Sequence, residues 1–132
     1  MDFMKSPQVI EDRSMEIIAP YVDGYGCNEG EKEIASRLIH ASGDVEYAKV
    51  IRIHKDALAA GSEAFKRGAN IYCDVEMVRT GVSKVTLAEL GSEIFCRVSD
   101  PEIAKVAKEK GITRSMAAMR SFGKDLDGAV IA

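Results

Sequence analysis

At 132 residues the chain has the length of one ordinary domain, able to bury a core without staples, and 18 lysines and arginines against 21 aspartates and glutamates leave a net charge of −3. No basic stripe, no apolar run near the roughly 18 residues of a membrane span, and no apolar leader in Met1-Asp-Phe-Met-Lys-Ser-Pro-Gln8 argue against a nucleic-acid partner, a membrane anchor and export. Cys27, Cys73 and Cys96 are odd in number, with no Cys-x-x-Cys and no Cys/His pair at ligand spacing, so they read as reduced cytosolic thiols, not a disulfide framework or a metal site.

Val9, Ile10, Met15, Ile17 and Ile18 recur at helical spacing and predict a first helix from Ser6 to Ala19, with Ser6 as N-cap and Pro7 in the first turn. Asp23-Gly-Tyr-Gly-Cys-Asn-Glu-Gly30 is turn-rich. Its glycines faintly suggest a phosphate loop, but a dinucleotide fingerprint follows a strand and these follow a helix, which rejects that reading. A second helix is predicted from about Asn28 through Ile34, Leu38 and Ile39 to Ala41, with His40 in its last turn and Gly43 as its stop. The β-branched run Lys49 to Ile53 predicts a short strand.

Asp56 to Arg67 reads as a helix stopped by Gly68, followed by a strand from Asn70 to Val75. Val82 to Leu87 comes after Thr80-Gly81, and Glu93 to Val98 predicts a further strand. Asp100-Pro101 opens a helix ending at Gly111, Thr113 to Lys124 makes the last helix, and Gly128 to Ala132 begins a strand. Helices alternating with strands predict one α/β domain over 1–132, with a largely parallel sheet and helices on both faces in three layers. A buried-type strand at 128–132 leads us to expect cover from beyond residue 132 or from a partner.

Histidine exchanges protons near neutral pH, so His40 is either an acid–base group or a helix-terminal side chain interacting with the last carbonyls. Thr113-Arg114 is either an anion site at a helix start or a plain cap beside a solvated arginine. Asp74, Met77 and Val78 follow the carboxyl end of a predicted strand, where ligands of parallel sheets sit. Met77 and Met116 fit a slot lining or core packing. Cys73, inside a strand with no basic neighbour, reads as buried and inert, and His54 as a surface residue.

Five segments occur together and in order: Ile10-Glu-Asp-Arg-Ser-Met15, Leu38-Ile-His-Ala-Ser-Gly-Asp44, Gly68-Ala-Asn-Ile-Tyr-Cys-Asp-Val-Glu-Met-Val78, Gly81-Val82 and Thr113-Arg-Ser-Met-Ala-Ala118. In this the chain resembles the precorrin-8X methylmutase family, over about the first two-thirds of that family's domain. Members continue past the Val-Ile-Ala strand into a Gly-Asn-Ala-Pro segment and further elements.

The resemblance implies a cytoplasmic isomerase that shifts a methyl group 1,5-sigmatropically on a corrin-type ring, precorrin-8X or its cobalt-bearing counterpart. It implies His40 as the catalytic proton donor. Arg13, Ser14, Asp74, Met77, Val78, Lys84, Thr113, Arg114 and Ser115 follow as substrate-binding residues for a flat ring with carboxylates on its rim. It calls for no cofactor and implies a homodimer. A non-catalytic relative holding a tetrapyrrole-like ligand, and a fragment of a longer enzyme, are the competing readings.

Overall fold

A computed structural model describes residues 6–25 and 28–132, so Gly26 and Cys27 lie outside the described residues. The chain divides into two compact units, one running through Leu58 and one beginning at Ala59.

In the first unit, α1 (Pro7–Val22) starts where expected, with Ser6 in extended backbone at the N-cap, but the Ser6 side chain makes no capping bond. Pro7 at N1 has no N–H to satisfy. The helix runs on through Pro20 to Val22, a buried residue, three residues beyond the expected end. Asn28 then builds a capping box at the start of α2 (Glu29–Ser42): its Oδ1 accepts from the Glu31 N–H at 3.0 Å, and Glu31 Oε2 accepts from the Asn28 N–H at 3.0 Å. Asn28→Ala is expected to cost about 1 kcal/mol, read as a lowered unfolding midpoint in urea. Gly43, at φ 70°, closes α2 by donating its N–H to the Ile39 carbonyl at 2.8 Å. Packing of α1, and of the short helix at 47–50, on α2 buries Ile18, Val22, Ala35, Ile39 and Ala48, with Val45 and Ile51 against them.

The expected strand at Lys49 to Ile53 is not formed. Asp44 Oδ1 accepts from the Glu46 N–H at 2.9 Å and starts a helical turn, α3 (Tyr47–Val50), that turns Ala48 into the core. Residues 51–54 have no pairing partner among the described strands. A β-branched run favours a strand only where a sheet edge receives it, and here burial of Ala48, with the half-buried Ile51 packed against the same core, decides.

The second unit holds most of α4 (Ala57–Lys66), then β1 (Ile71–Cys73), α5 (Glu76–Gly81), α6 (Lys84–Glu89), β2 (Ile94–Cys96), α7 (Pro101–Lys110), α8 (Arg114–Phe122) and β3 (Val130–Ile131). Gly68, at φ +69°, stops α4, and a Cβ there would lie 3.2 Å from the Gly91 carbonyl oxygen, so both conformation and space call for glycine. The three strands form one parallel sheet in the order β2-β1-β3, with Ile71 beside Ile94 and Val130, and Cys73 beside Cys96. All of β1 is buried, as a central parallel strand requires. Asn70 Oδ1 accepts from the Glu93 N–H at 3.0 Å and sets the register of β1 against β2.

The expected parallel α/β architecture is present, with each strand shorter than its sequence run. Tyr72 stacks on Phe95 at 5.4 Å and meets the edge of Phe122 at 4.7 Å, which fixes the end of α8 to the sheet. Phe122 ends α8 two residues early, and a 3-10 turn, Gly123–Leu126, follows. α7 and α8 pack through Ile103, Ala107, Ala117 and Ala118.

Candidate functional site

Each unit carries its own group of candidate residues. In the first, α2 sets His40 by the alternation of neighbours on a helix: Ile39 is 2 % exposed and locked in the core, so the next side chain, 100° round the axis, faces outward. His40 lines two surface grooves. One, of about 240 Å³, is walled by Ser14, Ile17, Ile18 and Gly43 among others. The other, of about 380 Å³, is walled by Pro7, Ile10, Glu11 and Arg37. Among the described residues no hydrogen bond or ion pair engages the His40 imidazole, so both ring nitrogens stay available.

Ser14 lines the smaller of these grooves together with His40, on the side where α1 packs on α2. Its Oγ donates to the Ile10 carbonyl at 2.8 Å, which leaves its lone pairs as acceptors. Arg13 lies beside that face, its guanidinium on Glu16 at 2.7 Å and exposed, a pair worth only a few tenths of a kcal/mol. The sequence reading missed Arg37, one helical turn before His40. Its Nη1 donates to Glu11 Oε1 at 2.6 Å, joining α2 to α1 and leaving most of its five donors free. The signal available was the i, i+3 spacing of Arg37 and His40, which puts both on one face.

In the second unit, Asp74 follows the carboxyl end of β1, and Met77 and Val78 lie in the first turn of α5. Met77 is 82 % exposed, so within the described residues it is not core packing. Lys84 opens α6 and lines a groove with Arg79 and Ser92, apart from the Thr113 start. The Arg79 guanidinium is held above its ordinary value by the Glu76 carboxylate, to which Nε donates at 2.6 Å, so it stays charged.

Thr113 caps α8, its Oγ1 accepting from the Met116 N–H at 3.1 Å. The backbone N–H groups of Arg114 and Ser115 have no intrahelical acceptor, and no hydrogen bond or ion pair among the described residues engages the Arg114 side chain. The start of α8 thus combines a filled cap with donors suited to a carboxylate. Cys73 is fully buried and donates to the Val75 and Phe95 carbonyls at 3.5 Å. Burial first, and Cys96 beside it second, push its thiol up, away from the thiolate a nucleophile needs. His54 is exposed, with Nδ1 accepting from the Asp56 N–H at 3.3 Å.

No group of His, Cys, Asp and Glu among the described residues is arranged to hold a metal ion, and no described helix is long and apolar enough to cross a membrane. The sequence model of precorrin-8X methylmutase matches residues 9–132. The chain is 36 % identical over 131 residues to precorrin-8X methylmutase from Sinorhizobium sp, an alignment covering 99 % of this chain and 62 % of that protein. It is 33 % identical over 126 residues to cobalt-precorrin-8 methylmutase from Priestia megaterium, covering 96 % of this chain and 56 % of the relative. A crystal structure of precorrin-8X methylmutase from Thermus thermophilus superimposes with a TM-score of 0.79 at 32 % identity, over 94 % of this chain and 60 % of the other. The chain thus spans about three-fifths of the length of these relatives. Sequence match along nearly all of its residues and agreement of backbone lead to one conclusion: the chain belongs to the precorrin-8X methylmutase family.

Proposed function

We propose that the protein works as an isomerase of corrin biosynthesis, moving a methyl group 1,5-sigmatropically on precorrin-8X or its cobalt-bearing counterpart. The observation that carries this reading is the outward-facing, unengaged His40, held by the buried Ile39 on grooves with Ser14 and Arg37. His40 as imidazolium lends a proton to the conjugated ring, which lowers the barrier to migration, and takes it back once the methyl group has moved, so atoms and charge balance.

Arg37, Arg13 and Arg114 are cations for rim carboxylates, with Ser14, Asp74, Thr113 and Ser115 as polar contacts and Lys84 as a further cation. Met77 and Val78 offer apolar surface to the ring. On this reading residues 1–132 form one α/β domain, the protein is a cytoplasmic homodimer, and it needs no cofactor and no nucleic-acid or membrane partner. Identity of 36 % along nearly the whole chain to a methylmutase supports it.

The experiment is a titration of the purified protein with hydrogenobyrinic acid, followed by visible absorbance and by size-exclusion chromatography. We expect stoichiometric binding to a dimer. A monomeric or aggregating chain that binds nothing overturns the reading, and tight binding without turnover of precorrin-8X selects the non-catalytic relative.

A further inference from the structure

In the second unit, a groove of about 510 Å³ runs over α5, α6 and the entry to β2, a volume within the usual range of small-molecule sites. Two cations reach it. Lys84 has no hydrogen bond or ion pair among the described residues, and Arg79 spends only Nε on Glu76. Glu93 in the lining and Glu76 on Arg79 match the two cations in number, so the charge that stands without a paired carboxylate among the described residues is Lys84. Leu87 and Ile94 supply apolar wall.

Ser92 also lines the groove, and it is the one buried polar residue among the described residues, 5 % exposed, with no hydrogen-bond partner for its Oγ. A buried hydroxyl without a partner costs stability in the folded chain, and such exceptions concentrate where a ligand or reaction needs the group. Its backbone is fixed, since the Ser92 N–H donates to the Leu87 carbonyl at 2.9 Å, and its Oγ lies buried at the groove wall with no partner among the described residues.

We infer that this groove is a binding subsite for the carboxylate arm of an apolar-bodied ligand, with Lys84 and Arg79 as charged donors and the Ser92 hydroxyl as the third. The inference rests on the corrin reading only for the natural ligand, a rim carboxylate of the ring; the groove's preference for an alkyl carboxylate stands on its own residues.

The test is a titration of the ¹⁵N-labelled protein with 3-phenylpropionate, with uncharged 3-phenylpropionamide as control. We expect saturable shifts of the Gly91, Ser92 and Glu93 amides at about millimolar ligand, and little response to the amide. Lys84→Gln, an exposed change that leaves the fold intact, should weaken the carboxylate about fivefold or more. Ser92→Ala should weaken it while keeping or raising the unfolding midpoint, a combination that a merely structural serine does not give. Absent shifts, equal binding of the amide, or an unchanged affinity in Lys84→Gln overturns the subsite. Failure of hydrogenobyrinic acid to bind while 3-phenylpropionate still does removes the methylmutase reading and leaves the subsite standing.

Discussion

His40→Ala is expected to slow conversion of precorrin-8X by about 10²- to 10⁴-fold while leaving the unfolding midpoint and most of the affinity for hydrogenobyrinic acid in place. The split follows from where the side chain sits. His40 faces outward, lies outside the α1–α2 core and engages no group among the described residues, so its removal opens no cavity and strands no buried partner. It also directly follows Ile39, which is buried in the α1–α2 core, and lines its grooves with Ser14 and Arg37. Parallel rate assays, product titrations and melts on the two proteins decide it. Equal loss of binding and turnover would make His40 a structural residue, with the proton supplied elsewhere.

Ile39→Ala, one position earlier, should do the reverse first: destabilise the protein by about 2–5 kcal/mol. Ile39 is among the largest fully buried side chains and sits between Ile18, Val22 and Ala35, so truncation leaves a void that rigid helices do not close. The same void loosens the last turn of α2, and turnover should fall together with stability. Urea titration measures the first effect. A loss below about 0.5 kcal/mol, the range of ordinary surface changes, would show that the α1–α2 contact is not the core of its unit.

The contrast between these neighbours also shows what the sequence makes legible. Apolar spacing through Ile34, Leu38 and Ile39, bracketed by Asn28 and Gly43, defines α2 to within a residue, because capping chemistry and periodicity agree. His40 follows from that helix and from its motif. Arg37 does not: its partner, Glu11, lies 26 residues away, and such a pairing exists only once α1 and α2 pack. Helices α5 and α6, of six residues each, are too short for a 3.6-residue period to show. The run Lys49 to Ile53 has strand composition, yet its outcome depends on whether an edge is offered, which no local pattern encodes. Ser92 gives no sequence signal at all, since serine is ordinary before a strand and only burial makes it unusual.

The order β2-β1-β3 sets a timetable for assembly. Ile71 meets Ile94 after 23 residues of chain, because 94 − 71 = 23, but meets Val130 only after 59, because 130 − 71 = 59. Closing the longer loop costs about 0.8 kcal/mol more, from the ratio of the two lengths, so β1 zips to β2 first. On a ribosome adding about 5–20 residues per second, the 36 residues between Ile94 and Val130 leave the far flank of β1 unpaired for about 2–7 s. During that interval the most buried strand of the sheet offers its amides and carbonyls to any nascent neighbour, and crowding on a polysome is the hazard this topology must outrun.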